Sequence, residues 1–575
     1  GGNDETILRA FELAAESLES VVRNGSPEDE SRGFYRVVAA ASYHLGRFSA
    51  RSYSLLAQTL ENENQSVIER ALSLLILRRL DEVYAILLRH TSDPDYSDAA
   101  IAQRLDNPDD PADVADALSI SATENYLRAI AAFLFALRAD DETVLASCRE
   151  RLTDGEQLCF ESGLVALWWI YRLTRFLTDD LWSLSLQRLL PKDSDDTSNW
   201  MLLRELFVAS LAGRSTAELD LWPSQLPIAS RALDTHDNIV ASLPTSAGKT
   251  RIAEICILRT LSLNRRVVFV TPLRALSAQT ERTLRRTFQP IGFDVSALYG
   301  SAGTSAFDLD SLANREIVVT TPEKLDFALR NDSSLLDDVG LIVLDEGHML
   351  GPTEREVRYE VLIQRLLRRS DASERRIVCL SAMLPSGEQM DDFVKWLRSD
   401  APGDPITSTW RPTRQRYGEI VWDGAKARYE LKIDDQTNTF IPRFIERQEK
   451  IGKRGGKKIF PGDLNDVVLA SAWRLAADRH SVLVYCPERR SVNALAKRLL
   501  KIRKEGFLGD LPGFSANAVK NAISVGEEWL GSEHPAVKCL SLGVAIHHAS
   551  LPKPFLRKID GLLRDKLVQV VVDSP

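Results

Sequence analysis

The sequence predicts a multidomain fold in which an all-α N-terminal domain is followed by α/β domains. Three observations lead to this prediction. Apolar side chains recur every three or four positions in the first 200 residues, which is typical of amphipathic helices. Short β-rich runs alternate with helical segments from about residue 220 onwards, which is typical of α/β domains. The chain has 575 residues, more than the roughly 250–300 that one compact core usually organises.

Composition sets the broad class of protein. Apolar residues make up 44% of the chain and charged residues 27%, which is typical of a folded protein in water and excludes disorder as the main state. No apolar stretch approaches the ~18–20 residues of a membrane-spanning helix, so no membrane partner is expected. The six cysteines are widely spaced and form no Cys-x-x-Cys pair. This spacing favours a reducing, cytoplasmic location and argues against a disulfide framework or a zinc knuckle.

Helical periodicity dominates the first 200 residues, and it is clearest at residues 7–14, 72–88, 126–137 and 164–176. A stretch rich in proline and aspartate, residues 91–113, is predicted to be an acidic surface loop. Residues 1–200 hold 34 acidic and 19 basic side chains, which leaves 47 acidic and 53 basic side chains in the rest of the chain. We therefore predict an acidic helical domain over residues 1–200, which would repel a polyanion. The alternative is that its charge serves only to solvate the surface.

The α/β part contains two sets of predicted strands. Five apolar runs fit strands of an open, mostly parallel sheet, namely residues 238–243, 266–270, 316–320, 341–344 and 377–380. A second set begins at residues 481–485 and includes residues 567–572. We predict a first α/β domain over residues 201–410, a connector over residues 411–470 and a second α/β domain over residues 471–575. Residues 450–458 of the connector, rich in glycine and lysine, are predicted to be a flexible charged linker; a phosphate-contacting loop is the alternative.

A candidate phosphate loop follows the first predicted strand. Residues 243–250 read Leu-Pro-Thr-Ser-Ala-Gly-Lys-Thr, with Leu243 in place of the first glycine of the general phosphate-loop pattern. A turn here directs backbone N–H groups and the positive end of a helix toward a phosphate chain. Lys249 would reach the β- and γ-phosphates of ATP, and the Thr250 hydroxyl would bind Mg²⁺. The predicted ATP-binding residues of the loop are Thr245, Ser246, Ala247, Gly248, Lys249 and Thr250.

An acidic pair follows the predicted strand at residues 341–344. Asp345 can hold the water shell of Mg²⁺, and Glu346 can orient and deprotonate an attacking water. An isolated Asp-Glu pair is usually a solvated turn, but this pair stands 95 positions after Thr250, with a predicted strand before each motif. We therefore predict Lys249, Asp345 and Glu346 as catalytic residues and Thr250 and Asp345 as metal ligands. His348 has no second ligand at helical spacing, which argues against zinc.

From residue 221 onwards the chain resembles superfamily 2 helicases of the DExH, superkiller-like branch. Leu-Trp-Pro-Ser-Gln at 221–225 resembles the Q motif, and residues 243–250 and Asp-Glu-Gly-His at 345–348 resemble motifs I and II. Residues 271–276, 299–301 and 320–326 are similar to motif Ia, the following strand-contact segment and motif Ib. Ser-Ala-Met at 381–383 resembles motif III, in which the family usually has threonine at the third position. Residues 482–487 and 543–552 resemble motif IV and its companion.

This resemblance implies two RecA-like lobes, ATP and Mg²⁺ as cofactors, and ATP-driven 3′-to-5′ translocation that separates duplexes. It implies that Trp222 stacks on the adenine and that Gln225 contacts the base edge. The implied contacts to the nucleic-acid backbone are Thr271, Arg274, Gly300, Thr320, Thr321, Pro487 and His548. The implied coupling residues between ATP and nucleic acid are His348, Ser381 and Ala382. The adjacent His547 and His548 are not expected to share one metal ion.

The resemblance also yields two expectations about the chain as a whole. Motif VI of the family finds no match by residue 575, so the second lobe is predicted to be incomplete and residues 1–575 alone are expected to bind nucleotide but hydrolyse it poorly. The acidic N-terminal domain is not part of the common helicase core. We predict that it binds a protein partner or guards the nucleic-acid entrance; the nuclease that Hachiman-type anti-phage systems pair with such helicases is one candidate.

Three functions remain open from the sequence. A helicase acting on single-stranded or partly duplex DNA is favoured, and an RNA helicase or remodelling factor is the first alternative. An ATP-switched scaffold is the second alternative, against which the complete set of Lys249, Thr250, Asp345 and Glu346 argues.

Overall fold

The fold divides into two compact units, Gly1–Arg414 and Gln415–Pro575. The structure, a computed structural model, describes residues 2–26, 28–57, 65–94, 97–105, 111–192, 199–272, 274–298, 314–382, 384, 387–413, 415–433, 437–451 and 457–574. The predicted order, a helical N-terminal region followed by a parallel α/β sheet, is confirmed. None of the described helices is both long and apolar enough to cross a membrane.

Helices make up the N-terminal domain. They are α1 (Gly2–Asn24), α2 (Arg32–Leu45), α3 (Ser49–Ala57), α4 (Val67–Ile76), α5 (Leu80–Thr91), α6 (Asp98–Leu105), α7 (Pro111–Ala139), α8 (Glu142–Glu161) and α9 (Val165–Ser183). Residues 72–88, one periodic run in the sequence, are divided between α4 and α5, because Arg78 adopts a left-handed φ of 59° between them. The predicted acidic loop at residues 91–113 contains α6 and the start of α7, so it is only partly a loop. The apolar faces meet in one core around Leu72, Tyr126 and Tyr171.

A buried histidine lies in the helical domain. His44 of α2 is 6% exposed, and its Nε2 lies 3.9 Å from Asp180 Oδ2. The charged groups around it are Arg47, Arg78, Asp180 and Asp220. Burial, and then the positive charge of Arg78, lowers the pKa of His44 to about 4. The folded domain therefore holds this imidazole neutral at a pH where an unfolded chain protonates it.

Acid is expected to destabilise the helical domain through His44. Between the unfolded value near 6.5 and the folded value near 4 the unfolded state binds more protons, so the free energy of unfolding falls as pH falls through this window. At pH 5 the loss amounts to about 2 kcal/mol. The thermal midpoint should therefore drop less between pH 7.5 and pH 5 in His44→Gln than in the wild type. His236→Gln, at an exposed histidine, is the control; equal drops in all three proteins would contradict the prediction.

The chain then alternates between the helical domain and the sheet domain. The buried apolar side chains of α10 (Leu186–Leu189) and α11 (Trp200–Ala212) belong to the core of the sheet domain. Residues 217–221, which we call the junction segment, return to the helical domain, where Ala217 and Leu219 enter its core. The chain thus passes back to the helical core after the boundary predicted at residue 200. Both the helical domain and the sheet domain therefore contact the junction segment.

The first unit contains a sheet of seven strands whose described pairs are all parallel. The strands are β1 (Ile239–Ser242), β2 (Arg266–Val270), β3 (Val295–Leu298), β4 (Ile317–Thr320), β5 (Val339–Asp345), β6 (Arg376–Ser381) and β7 (Ile406–Thr407), in the order β3-β4-β2-β5-β6-β1-β7. The helices are α12 (Leu226–Leu233), α13 (Lys249–Ser262), α14 (Arg274–Phe288), α15 (Pro322–Asn331), α16 (Glu354–Leu367) and α17 (Glu388–Leu397). All five predicted strands of this sheet are confirmed, whereas β3 and β7 were not predicted. Because β5, β6 and β1 are neighbours, the segments after their carboxyl ends lie together.

The second unit begins with antiparallel strands. β8 (Tyr417–Trp422), β9 (Lys426–Ile433) and β10 (Thr437–Glu446) form one sheet, and β11 (Gln448–Ile451) pairs with β12 (Lys457–Phe460). The region predicted as a connector is therefore largely sheet. The flexible-linker prediction for residues 450–458 is wrong for its described residues, because Lys450 pairs with Lys458 in the β11–β12 ladder. Lys450 Nζ donates to the Gly506 carbonyl at 2.6 Å, and Lys458 pairs with Glu505 at 2.9 Å.

A parallel sheet completes the second unit. Its strands are β13 (Val482–Tyr485), β14 (Val544–His547) and β15 (Val570–Asp573), in the order β13-β15-β14. The helices of this unit are α18 (Leu464–Ala477), α19 (Arg489–Lys504), α20 (Ala516–Leu530), α21 (Pro535–Leu540) and α22 (Lys553–Arg564). The strands predicted at residues 481–485 and 567–572 are confirmed as β13 and β15, and β14 lies within residues 543–552.

Candidate functional site

The phosphate loop connects β1 to α13, as the sequence predicts. Ser246 and Gly248 both adopt left-handed backbone conformations, with φ of 68° and 82°. The Ala247 N–H donates to the Pro244 carbonyl at 3.1 Å, which closes the turn. Lys249 begins α13, whose first N–H groups have no carbonyl acceptor within the helix. The loop therefore presents backbone donors and the positive end of a 14-residue helix to one place, which is the arrangement that binds phosphate.

A buried glutamine hydrogen-bonds to this loop. Gln225 is 3% exposed, and its Oε1 accepts from the Trp222 N–H at 2.7 Å while its Nε2 donates to the Gly248 carbonyl at 2.8 Å. The Ser224 hydroxyl donates to the Ala247 carbonyl at 2.9 Å. The sequence resemblance implied that Gln225 contacts a base edge. In the structure its amide group holds the loop itself, and the half-buried Trp222 lies beside Gly248.

Gly248→Ala is expected to distort the loop. A Cβ at this position would lie 2.0 Å from Gln225 Nε2 and 3.2 Å from the Trp222 ring, and the positive φ disfavours any side chain. We expect ADP or ATP to bind at least about tenfold more weakly, since left-handed alanine alone costs ~1–2 kcal/mol. Gly292→Ala is a matched control, because Gly292 also has a positive φ of 96° but nothing lies within 4 Å of its Cβ position. Equal nucleotide affinity in both variants, measured by calorimetry, would contradict this account.

The acidic pair lies at the carboxyl end of β5, next to the loop. Lys249 Nζ lies 3.1 Å from Glu346 Oε1, so the structure brings together residues that are 97 positions apart. Glu346 has a left-handed φ of 50°, and its N–H donates to Asp345 Oδ1 at 3.1 Å. Thr250, in the first turn of α13, is exposed. The predicted catalytic residues therefore form one cluster.

Burial perturbs the acidity of this cluster. The pKa of Asp345 is raised to about 6, first because the carboxyl group is buried and then because Glu346 places a second negative charge beside it. Lys249 and the N–H of Glu346 oppose this shift only in part. The cluster has two adjacent carboxyl groups and only one lysine, so its negative charge is not fully compensated. The arrangement is therefore one that a divalent cation with oxygen ligands would stabilise.

The predicted coupling residues lie beside the acidic pair. His348 Nδ1 hydrogen-bonds with Ser381 Oγ at 2.8 Å and lies 3.3 Å from Glu346 Oε2. Ser381 is fully buried at the end of β6, and its carbonyl accepts the Leu243 N–H at 2.9 Å. Ala382, half-buried, follows it directly. Polar contacts thus run from Glu346 through the end of β6 to the phosphate loop.

Comparison with known proteins identifies a domain within the first unit. Residues 222–392 match the family model of the DEAD/DEAH box helicase, and this range contains the phosphate loop, the acidic pair and the end of β6. The chain contains a DEAD/DEAH box helicase domain. Lys249 and Glu346, which this site brings within hydrogen-bonding distance, both lie in the matched range.

The helicase domain also has named relatives. The Hachiman protein HamB of Bacillus cereus is 25% identical over 99% of this chain and 49% of its own length. The ATP-dependent DNA helicase Hel308 of Methanococcus vannielii is 26% identical over 61% of this chain and 43% of its own length. A crystal structure of the DUF1998 helicase MrfA bound to DNA has a TM-score of 0.42 and 16% identity, covering 64% of this chain and 44% of that one. This chain therefore spans about half the length of the curated relatives it matches.

The residues predicted to contact nucleic acid have mixed positions in the first unit. Thr271 and Thr320 are fully buried and Thr321 is 6% exposed. The Thr271 N–H donates to the Thr320 carbonyl at 2.9 Å, and the Thr271 hydroxyl hydrogen-bonds with Ser277. The backbones of Thr271 and Thr320 therefore join the ends of neighbouring strands, and the hydroxyls of these two residues are covered. The side chain of Arg274 and the whole of Gly300 lie outside the described residues.

Two further predicted contacts lie in the second unit. Pro487 is exposed beyond the end of β13. His548 is 4% exposed, hydrogen-bonds with Ser550 at 2.8 Å, and has a pKa lowered by burial. Its neighbour His547 instead pairs with Asp573 at 2.8 Å, so the two imidazoles have different partners.

Sequence reasoning missed one residue that connects two motifs. Arg355 of α16 donates to Glu323 Oε1 at 2.8 Å and to the Pro272 carbonyl. It thereby joins the loop after β2 to the start of α15. Only a family-wide comparison could have indicated it, because an isolated arginine in a sequence is usually a solvated surface residue.

Proposed function

We propose that this chain is the ATP-binding motor part of a nucleic-acid helicase of the DExH type. The single observation that supports this most is the 3.1 Å distance between Lys249 Nζ and Glu346 Oε1. A phosphate loop and an acidic strand end at this distance have the separation needed to act on the same phosphate group. The Asp-Glu-Gly-His sequence at 345–348 supports the DExH subtype.

The donor groups of the site fit ATP and Mg²⁺. The N–H groups at the start of α13 and the Lys249 ammonium would hold the phosphates. The exposed Thr250 hydroxyl and the Asp345 carboxylate are hard oxygen ligands of the kind that Mg²⁺ prefers. Bound Mg²⁺ would neutralise charge on the phosphates and on the acidic pair. Glu346 would orient the attacking water and accept its proton.

Single-stranded or partly duplex DNA is the substrate that we propose, with translocation from 3′ to 5′. The relative named as an ATP-dependent DNA helicase supports DNA, and the family resemblance supports the polarity. We propose that the turns after β2 and β4, with Arg274 and Thr321, meet the nucleic-acid backbone, since the hydroxyls of Thr271 and Thr320 are covered. Gly300 is a further contact that we propose. Pro487 and His548 would contribute from the second unit.

We propose a role in anti-phage defence, in the cytoplasm; the similarity to the Hachiman protein HamB over nearly the whole chain supports the role in defence. That similarity covers 99% of this chain and so includes the helical N-terminal domain, whereas the Hel308 match covers 61% of this chain. We propose that this acidic domain binds a protein partner, and a nuclease is the class of partner that the Hachiman resemblance implies. Its surplus of carboxylates would disfavour direct contact with DNA.

The test uses the natural full-length protein and compares its activity on different nucleic-acid substrates. ATP hydrolysis is measured without nucleic acid, with single-stranded DNA and with single-stranded RNA, and strand displacement with duplexes carrying a 3′ or a 5′ overhang. Stimulation by DNA and displacement from the 3′ overhang are expected. Stimulation by RNA alone would favour the RNA helicase, and binding of ATP without any hydrolysis would favour the scaffold.

A further inference from the structure

A cleft of about 710 Å³ leads away from the phosphate loop. Its lining includes Ser246, Gly248 and Thr250 of the loop. The lining also includes Ser49 and Tyr53 of α3, in the helical domain. This volume lies within the roughly 300–1,000 Å³ of small-molecule sites. A ligand held by its phosphates at the loop therefore has space that extends to the helical domain.

Aromatic side chains line both parts of this cleft. Trp222, which precedes the loop in the chain, lines the cleft. The centroid of its ring lies 5.7 Å from the centroid of the Trp410 ring. Tyr53 lines it from α3 and keeps 46% of its surface exposed. Flat aromatic faces are the surfaces on which a purine base stacks.

The helical domain is fixed to the cleft by the junction segment. The Arg78 guanidinium lies 3.2 Å from the Asp220 carboxylate, and the Ala217 N–H donates to the Arg78 carbonyl at 2.8 Å. The Leu221 N–H donates to the Leu184 carbonyl at 2.9 Å. The next residue is Trp222. The residues that contact the helical domain are therefore adjacent in the chain to the residues that contact Gly248. The wall formed by α3 is therefore attached to the phosphate loop.

The remaining wall is charged but internally paired. Arg214 Nη1 lies 2.6 Å from Glu218 Oε1, and Arg251 Nη1 lies 2.6 Å from Glu254 Oε2. Arg251 also pairs with Glu218, and Arg286 Nη2 lies 3.9 Å from Glu218 Oε1. Because two carboxylates pair with these three arginines, all but one of the positive charges are compensated, and the wall offers only weak attraction to a second anion. An uncharged, aromatic group is the better match for this part of the cleft.

We infer that the helical N-terminal domain completes the nucleotide site. The base and ribose of a bound purine nucleotide lie in this cleft, against Tyr53 of α3 as well as Trp222, while its phosphates lie on the loop. This inference rests on the proposed function and extends it to a domain outside the matched family region. Nucleotide binding then bridges the helical domain and the helicase domain.

Photolabelling of residues 1–575 tests the position of the base. The probe is 8-azido-ADP, which carries its reactive group on the purine, and labelled peptides are located by mass spectrometry. Label within Ser49–Ala57 that disappears with excess ATP is expected. Label that ATP displaces but that is confined to residues after 221 would overturn the inference.

Affinity measurements separate the base from the phosphates. Tyr53→Ala is expected to weaken ADP binding about tenfold, because stacking on one aromatic ring is lost, and to leave tripolyphosphate binding unchanged, whereas Tyr53→Phe keeps wild-type affinity. Tyr84→Ala is the matched control, since Tyr84 of α5 is 36% exposed but does not line this cleft. Equal ADP affinity in Tyr53→Ala and Tyr84→Ala would overturn the inference alone. A wild-type chain that binds neither ADP nor tripolyphosphate would overturn the proposed function with it.

Discussion

Glu346→Gln is expected to slow ATP hydrolysis by about 10²–10⁴-fold, the usual contribution of a positioned general base. Nucleotide affinity should stay the same or rise. The amide of glutamine can still accept the hydrogen bond from Lys249 that Glu346 Oε1 now accepts at 3.1 Å, so the geometry of the loop is kept. The substitution also removes one negative charge from the place where the phosphates would bind. Loss of hydrolysis without loss of binding is thus the signature of a base rather than of a structural group.

The measurement uses steady-state hydrolysis by the natural full-length protein with single-stranded DNA, together with ATP affinity from calorimetry. Glu354→Gln is the control, because Glu354 lies in the same lobe with a side chain that is 80% exposed. Near-normal hydrolysis by Glu346→Gln would remove Glu346 from the chemistry. A parallel fall in affinity and rate would indicate that the side chain supports the loop instead.

The strands and the two motifs of this site could be predicted because each depends on local pattern. Residues 266–270 form a strand with the predicted bounds, since an apolar β-branched run between helical segments fits a strand buried on both faces. The meeting of Lys249 with Glu346 was also predictable. Both residues follow strands, and parallel strands place their carboxyl ends at one edge.

Contacts between distant segments could not be read from local pattern. Gln225 resembles a base-reading residue in sequence, but it lies 23 positions before Gly248 and its amide is occupied by backbone groups of the loop. Helical periodicity likewise gives an apolar face without the core that it joins, so α10 was placed in the helical domain although Leu186 belongs to the core of the sheet domain. The Lys-rich strand β12 lacks the apolar alternation that predicts strands, because its two lysines are both exposed.

The burial of Thr271 and Thr320 is another feature that local pattern did not predict. Both residues stand at strand ends, where a hydroxyl can either face a ligand or find a partner inside the protein. In the structure the Thr271 hydroxyl hydrogen-bonds with Ser277, the Thr320 hydroxyl donates to the Thr321 carbonyl, and both side chains are fully buried. Burial of these strand ends depends on the strands beside them in the order β4-β2-β5, and strand order is a property of the whole sheet.

Lys249→Ala is expected to weaken ATP binding by about 100-fold, which corresponds to ~2.8 kcal/mol and is within the usual cost of truncating one member of a half-buried charge pair. Two effects combine. The phosphates lose their cationic partner, and the cluster of Asp345 and Glu346 loses the lysine that now lies 3.1 Å from Glu346. Because the second effect leaves two carboxylates uncompensated, the nucleotide-free protein should also melt at a lower temperature than the wild type.

Calorimetry with ATP and Mg²⁺ on residues 1–575 measures the first effect, and thermal unfolding without nucleotide measures the second. Lys395→Ala is the control for loss of one positive charge, since Lys395 is an exposed lysine of α17 in the same lobe. Both changes should be absent in the control. If Lys249→Ala bound ATP as the wild type does, the approach of the loop to the acidic pair would serve the fold alone. The proposal of a motor site would then lose the observation that supports it most.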